Sequence, residues 1–249
     1  MFVAGGGLAY RARVKPAVLG ALAPFFGAMT YRVGATESLA DIETHRRTGL
    51  HEDFIQWVEV DDMVSGQRGG RAFAIADLVV GWTSKAKGKR RIVGFRGLAI
   101  EVEAGRTVLH PVVIRPWCLL QIFDSASPLP IELPGHEGKF RVTGPSIEVA
   151  RSVLRLAVLA AAGALATRVG PDNFAMSFAG RNLIMLLAHE EGKPWLEQLS
   201  DPGSPPTVLA VKRLAAELHD ALVMIDALDA ALDSDYQTKD ANAQSGATP

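Results

Sequence analysis

Two adjacent carboxylates are the first residues in the chain that could carry out a reaction. Asp61 and Asp62 come shortly after Glu59, and such a group could activate a water molecule for hydrolysis or hold a cation. His110 is the histidine that we group with them for proton transfer. The alternative is a charged turn, because aspartate favours turns through local hydrogen bonds. A hydrolase site at Asp61, Asp62 and His110 is therefore one hypothesis for a structure to test.

The other reactive residue types form no known catalytic or cofactor pattern. The six histidines lack the paired helical spacing of zinc proteases, and three of them precede a glutamate that would face the other side of a strand. Cys118 is the single cysteine, which excludes an intrachain disulfide and a cysteine-based zinc site. The glycine clusters at 5–7 and 66–70 do not end as phosphate-binding loops do. We therefore predict no metal, no cofactor and no catalytic residue.

The connection between two predicted strands carries five cations and no acid. Residues 83–91 read Thr-Ser-Lys-Ala-Lys-Gly-Lys-Arg-Arg, and the end of a hairpin exposes such charges to solvent. Anionic lipid is the ligand that we expect, since each cation near a negatively charged membrane contributes about 1 kcal/mol. A solvated hairpin that limits aggregation is the alternative, and nucleic acid fits less well because only Trp82 could stack on a base. The predicted anion-binding residues are Lys85, Lys87, Lys89, Arg90 and Arg91.

The composition allows a folded domain and limits where its charge can act. The 249 residues suffice for one large domain or two small ones. Hydrophobic residues make up 48% of the chain and the mean hydropathy is +0.15, which indicates an apolar partner or a nearby membrane. The net charge is −1, so attraction to an anionic partner must be local. No stretch is apolar over the roughly 20 residues that a membrane-spanning helix needs.

The hydrophobic pattern predicts an α+β fold: an antiparallel sheet with a packed central helix, an N-terminal amphipathic helix and a C-terminal helix. Helical spacing places the first helix over 10–30, with Pro24 kinking or dividing it. A short helix over 38–48 follows. The central helix is expected over 147–168, and the last one presents an apolar stripe from 211 to 232.

Strand-like runs fill the space between these helices. The first four form a simple antiparallel meander over 54–60, 72–82, 92–102 and 107–114. We expect Asp61 and Asp62 to interrupt the first run. A short strand at 139–143 and a hairpin over 174–188 complete the sheet. The predicted organisation is an amphipathic segment at 1–36, a core domain at 37–195, a helix at 196–232 and a disordered tail at 233–249.

Several short motifs occur in order along the chain. They are Tyr10-Arg-Ala-Arg-Val-Lys15, Phe25-Phe26 with Met29-Thr30-Tyr31, Asp62-Met-Val-Ser-Gly66, Phe95-Arg-Gly-Leu98, and Phe140-Arg-Val142 with Glu148, Ala150 and Arg151. In these motifs the chain resembles, over roughly residues 8–230, a bacterial membrane-associated family known as domain of unknown function 3137. The resemblance implies membrane-spanning segments before Tyr10, with Arg11, Arg13 and Lys15 close to the membrane. It implies no catalytic residues.

We therefore predict a non-enzymatic binding or scaffolding module at the cytosolic face of the bacterial inner membrane. Its expected partner is a membrane surface or a membrane protein, not nucleic acid, and the C-terminal helix could join two copies. The competing hypothesis is the hydrolase. A concave pocket that joins Asp61, Asp62 and His110 would favour the enzyme, whereas dispersal of these side chains over a filled sheet face would favour the module.

Overall fold

A computed structural model of the chain shows the α+β fold that the sequence predicts. It describes residues 16–34, 39, 41–51, 55–84, 89–117, 127–188 and 207–245, with side chains up to 233 in the last segment. Six antiparallel strands form one sheet: β1 (Met29–Val33), β2 (Trp57–Arg68), β3 (Arg71–Thr83), β4 (Arg91–Pro116), β5 (Phe140–Thr143) and β6 (Phe174–Ala188). The helices are α1 (residues 16–22), α2 (Ile42–Thr48), α3 (Ile147–Val153), α4 (Leu156–Val169) and α5 (Val208–Ser245).

Strand β4 is the centre of the sheet. On one edge it pairs with β3 over residues 91–102 and with β5 over 113–116, and on the other edge it pairs with β6 between 97 and 114. The sequence analysis predicted two strands here, 92–102 and 107–114, and this was wrong. The strand stays continuous because shifts of register against β6 absorb the residues between them.

Two other strands are continuous where we predicted a break. The hairpin over 174–188 is a single strand, β6, in which Gly180 (φ +60°) lies between two register shifts against β4. Strand β2 passes through Asp61 and Asp62, and its register against β3 shifts by one residue between Val60 and Met63. In both strands a bulge takes up the residues that looked like a turn, so the backbone remains paired.

The N-terminal helix is shorter than predicted. Helix α1 ends at residue 22, and Pro24 lies in the first turn of a short 3-10 helix, because proline cannot continue an α-helix. Residues 29–30, expected on the helix, belong to β1 and pair with β2. Leu19 of α1 is buried against Leu214 of α5, so α1 docks on the domain.

The central helix is two helices. Helix α3 ends at Val153, α4 begins at Leu156, and the two are bent by 76°. The bend occurs at Leu154, whose backbone is not helical and whose side chain is 2% exposed. It allows residues of both helices to enter one core, which a straight helix over 147–168 would not do. No single helix in the described part of the chain is long and apolar enough to cross a membrane, and α3 with α4 meets that test only as a bent pair.

Helix α5 is held by an apolar stripe and by two arginines. The predicted stripe is buried at Leu214, Leu218, Leu222, Ile225, Leu228 and Leu232. Arg68 and Arg71, on either side of the β2–β3 turn, form ion pairs with Asp226 and Asp229 of α5. The helix extends to Ser245, so its predicted end at 232 was wrong, and the predicted disordered tail is helical as far as 245. The residues after 232 lack large aliphatic side chains, which is why disorder was predicted there. Glycine and proline, which end helices, occur only from Gly246, so the sequence contains no signal that would end the helix before that residue.

The sheet is covered on both faces. The face under α3, α4 and α5, which we call the helical face, carries Val64, Ile75 and Ile100 in the larger core. The opposite face, which we call the α2 face, carries a second core with Met63 and Ala76. Strands β2, β3, β4 and β6 supply both cores because successive side chains alternate between the faces.

Two histidines pack side by side at the α2 face. The rings of His45 and His51 are 5.3 Å apart, and the ring of His51 is 5.7 Å from that of Phe95 on β4. Nε2 of His45 is 2.7 Å from the carbonyl oxygen of Leu39. Burial lowers the pKa of both histidines, and it lowers that of His51 to about 3 with help from the nearby His45 and the Arg115 cation. Both rings are therefore neutral in the folded protein near pH 7.

The free energy of unfolding should fall as the pH drops below about 6.5. An unfolded histidine takes up its proton near pH 6.5, whereas His51 stays neutral in the folded state down to about pH 3. Between these values the unfolded state binds more protons, so the stability present above about pH 6.5 is lost as the pH falls. Denaturant titrations between about pH 7 and 5 should show a smaller decline for His51→Leu. An equal decline in the variant would contradict this role.

Leu154→Ala should lower the free energy of unfolding by about 2–5 kcal/mol, because truncating a buried leucine removes contacts and leaves a cavity. Leu156, 78% exposed, is the matched control. Leu156→Ala should change the stability by less than about 0.5 kcal/mol in the same urea titration. A small effect at both positions would show that Leu154 is not a core residue.

Candidate functional site

The predicted cations lie at the end of the β3–β4 hairpin. The N–H of Ser84 donates to the carbonyl oxygen of Arg90 at 2.8 Å, which closes the base of the connection. Lys89 and Arg90 are exposed at this end. Lys85 and Lys87 lie outside the described residues.

Near the β3–β4 connection, strands β2 and β4 carry the exposed side chains of Glu59, Val93 and Arg96. We call this part of the sheet the arm and define it as residues 57–60, 79–84 and 89–96. Trp57 and Val93 both lie opposite Gly81, one from each neighbouring strand. Residues an even number apart on a strand point to the same face. Gly81 is an even number of residues from Ile75, so Trp57, Gly81 and Val93 form a row on the helical face.

Arg91 is held over a tryptophan ring. Its Cζ lies 3.8 Å from the ring centroid of Trp57, and its Nη1 donates to Oε1 of Glu59 at 2.6 Å. The Arg91 and Glu59 side chains are both about half exposed, and a cation–π contact of this kind contributes about 0.5–1 kcal/mol. The predicted anion-binding residue Arg91 thus shares its charge with Glu59, which leaves Lys89 and Arg90 as the cations of the hairpin end outside any ion pair among the described residues.

Each tryptophan of the arm lies over a glycine of the next strand. A Cβ added to Gly81 would overlap the ring of Trp57, and one added to Gly94 would overlap the ring of Trp82. Glycine is required at both places because only a bare backbone allows a ring to lie flat on the sheet. Trp82 follows Gly81 directly, so its ring is on the α2 face and that of Trp57 is on the helical face.

A bulge at Gly94 decides which side chains of β4 share a face. Val80 pairs with Phe95 and Gly81 with Val93, so Gly94 has no partner of its own in β3. Val93 and Arg96 therefore point to the same face although they are three residues apart. Arg96, which lies opposite Val79, is exposed on the helical face.

The arm combines cations with exposed aliphatic side chains. Val93 is 50% exposed on the helical face, and Ile92 is 37% exposed on the α2 face. Cations attract anionic groups, while the aliphatic side chains favour contact with an apolar surface. Among the described residues, no three histidine, cysteine or acidic side chains are close enough to hold a metal ion. The cations and aliphatic side chains of the arm are suited to a surface that is both anionic and apolar.

The carboxylate Asp62 is part of the sheet interior. It is buried, and its Oδ1 accepts a hydrogen bond from the Tyr31 hydroxyl of β1. Burial raises the pKa of Tyr31, and the Asp62 carboxylate adds to this rise, so the hydroxyl stays protonated and continues to donate. Asp62 therefore joins β1 to β2, and Asp61 beside it is exposed.

The structure does not bring Asp62 and His110 together. Asp77 of β3 lies beside the bulge that contains Asp62, and it pairs with Leu98 of β4. His110 is twelve residues further along β4 and is exposed. Because of the register shifts, the same stretch runs past only about eight residues of β6, from Leu187 to just beyond Gly180, and spans roughly 26 Å. The three residues of the predicted hydrolase site are thus dispersed along the sheet.

The predicted membrane-proximal cations Arg11, Arg13 and Lys15 lie outside the described residues. Helix α1, which follows them, contacts α5 rather than standing apart. Phe25, just after α1, is 84% exposed.

Sequence reasoning found the cations of the hairpin but missed the helical face of the arm. Trp57, Val93 and Arg96 were not assigned a role. Strict alternation would place Val93 with Phe95, and only the bulge at Gly94 reverses this. The exposed Arg-Ile-Val sequence at 91–93 was a signal, since two adjacent aliphatic residues next to cations are unusual at the end of a sheet.

No model of a known protein family matches the chain, and no curated protein matches its sequence significantly. Among solved structures, the chain is similar to the crystal structure of the mycobacterial trehalose monomycolate transport factor A, TtfA. The sequence identity is 13% and the TM-score is 0.44, over 85% of this chain and 96% of that chain. This likeness carries no functional argument.

Gly81→Ala should destabilise the protein by about 1–3 kcal/mol, because the added Cβ would overlap the Trp57 ring and the carbonyl oxygen of Ile92. Gly20→Ala is the control, since a Cβ on Gly20 would meet no atom within 4 Å and alanine favours the helix. Thermal unfolding followed by circular dichroism measures both variants. If Gly81→Ala were as stable as the unmodified chain, Trp57 would not be packed on this strand.

Proposed function

We propose that this protein is a non-enzymatic module that binds the anionic surface of a bacterial membrane through the end of its arm. The observation that carries the proposal is the position of Lys89 and Arg90. Both are exposed at the end of a hairpin and form no ion pair with the described residues. They are therefore available to lipid phosphates.

The magnitude of the attraction favours a local and reversible contact. Each cation near an anionic membrane contributes about 1 kcal/mol, so Lys89 and Arg90 together supply about 2 kcal/mol. Lys85 and Lys87 precede them in the sequence and would add to this. The net charge of −1 gives no long-range attraction, and the Debye length of about 8 Å at physiological salt restricts the effect to residues near the surface.

The proposed location is the cytosolic face of the bacterial inner membrane. Support comes from the resemblance to domain of unknown function 3137, whose members carry membrane-spanning segments before the region that corresponds to Tyr10. In that setting the arm would contact the membrane to which the protein is tethered. A scaffolding role toward a membrane protein is compatible with the same placement.

Neither of the other functions that the sequence suggested has support in the described residues. A hydrolase would need Asp62 and His110 within hydrogen-bond reach, and the strand register separates them. Association of two copies through the α5 stripe would compete with the packing of that stripe in the core of the same chain. Association of two copies of the chain through the other faces of α5 stays a prediction.

Charge reversal at the arm should weaken binding to anionic vesicles. We expect Lys89→Glu with Arg90→Glu to reduce co-sedimentation with vesicles of phosphatidylglycerol and phosphatidylcholine by tenfold or more, because about 2 kcal/mol of attraction is replaced by repulsion. Binding to pure phosphatidylcholine should not change. Added salt should have the same effect on the unmodified chain as the substitutions have.

Lys139→Glu with Arg151→Glu is the matched control. Both residues are exposed, and the double variant alters the net charge by the same amount on a part of the protein remote from the arm. It should bind anionic vesicles as the unmodified chain does. Equal losses in the two double variants would show that overall charge, and not the arm, governs binding.

A further inference from the structure

We infer, on the basis of the membrane-binding function proposed above, that the arm lies flat on an anionic bilayer with its helical face toward the lipid. In this orientation Val93 and the edge of Trp57 contact the boundary between headgroups and acyl chains, while Arg96 contacts phosphates and Arg91 stays paired with Glu59. Ile92 and Trp82 face away from the membrane. The charge of the hairpin alone does not decide which face of the arm meets the membrane.

The two faces of the arm are covered to different extents. On the helical face, the buried side chains of the sheet end at Asp77 and Leu98, and Val93 and Arg96 beyond them are exposed. On the α2 face, the core continues to Val80, which is fully buried beneath the segment around α2. Among the described residues, the helical face is therefore the one whose side chains in the arm a flat surface can reach.

The order of side chains on that face suits a bilayer interface. Arg91, Val93 and Arg96 follow one another along β4, so an aliphatic side chain lies between two cations. Arginine can lay its methylene stem along an apolar surface and keep its charged end among phosphates. Trp57 lies beside this row, partly exposed and with its Nε1 buried, so it adds ring carbons to the apolar contact. Anionic lipid supplies both the phosphate and the apolar contact that the row requires.

An approach with the tip of the hairpin first is excluded by the position of the charges. Lys89 and Arg90 are nearer the end of the arm than Val93. A bilayer that received Val93 from this direction would first have to bury both cations in hydrocarbon, which is costly. With the arm lying flat, the cations and Val93 reach the same depth together.

Glu59, the acid that the described residues of the arm place on this face, does not oppose the contact. Glu59 lies on the same row as Val79 and Arg96, where its carboxylate would repel anionic lipid. It is paired with Arg91 at 2.6 Å, so its charge is offset within the protein. Arg96 then remains on the helical face as a cation outside any ion pair with the described residues.

Two neighbouring residues of β4 provide a test with an internal control. Val93 and Ile92 are both exposed aliphatic residues, and they lie on opposite faces. Val93→Ser should reduce partition onto vesicles of phosphatidylglycerol and phosphatidylcholine by about three- to tenfold, as expected for losing a half-buried aliphatic side chain. Ile92→Ser should change the partition by less than about twofold. Because both side chains are exposed, neither variant should unfold the chain.

The tryptophans give a second measurement that does not depend on affinity. Vesicles with brominated acyl chains quench the fluorescence of a tryptophan at the headgroup boundary. We expect Trp57→Phe to remove most of the quenching and Trp82→Phe to leave it unchanged.

The outcomes separate this inference from the proposed function. If the unmodified chain does not bind anionic vesicles, both are wrong. If Lys89→Glu with Arg90→Glu abolishes binding while Val93→Ser and Ile92→Ser have equal effects, the protein binds membranes but does not lie on its helical face. Loss of quenching in Trp82→Phe and not in Trp57→Phe would place the α2 face on the lipid and would also overturn the inference.

Discussion

The pairing of β4 with three other strands is the constraint on which the rest of the structure depends. β4 holds 26 residues, which would span roughly 86 Å if fully extended, whereas the 14 residues of α4 span about 21 Å. Bulges shorten and bend the strand, and side chains near its start, Ile92 and Val93, are exposed. Among the described residues, the arm is the part of the sheet where the helical face carries the exposed side chains Val93 and Arg96.

The ion pairs between α5 and the β2–β3 turn hold this helix at the end of the sheet opposite to the arm. Arg71 contacts Asp229 at 2.6 Å and Asp233 at 2.5 Å, and the side chains of Arg71 and Asp229 are largely buried. The turn approaches α5 so closely that a Cβ on Gly69 would overlap Asp229. Several hydrogen bonds on one guanidinium fix both geometry and position. They hold α5 at the end of β2 and β3 opposite to Trp57 and Thr83.

The arm holds a small set of exposed cationic and aliphatic side chains in fixed positions. Its backbone is paired through β2, β3 and β4, and its tryptophans lie flat on glycines, so its exposed side chains are ordered before any partner binds. Preorganisation of this kind lowers the entropy lost on binding. A membrane is a partner without fixed shape, and it can accept the spacing of cations and aliphatic side chains that the strands dictate. If the proposed tether keeps the protein near the bilayer, a weak contact of a few cations is sufficient.

The sequence by itself determined the features that depend on neighbours along the chain. The α+β class, the limits of β3, the stripe of α5 and the cations after Thr83 follow from periodicity and composition, and the structure places Lys89, Arg90 and the stripe accordingly. Tertiary structure alone decided the bend at Leu154, the continuity of β2, β4 and β6, and the separation of Asp62 from His110. It also decided, through the bulge at Gly94, that Val93 shares a face with Arg96. Bulges and bends depend on pairing and packing with residues that are distant in sequence, so the local sequence pattern does not specify them. A shift of one residue also exchanges the two faces of a strand, so a missed bulge places the following side chains on the wrong face.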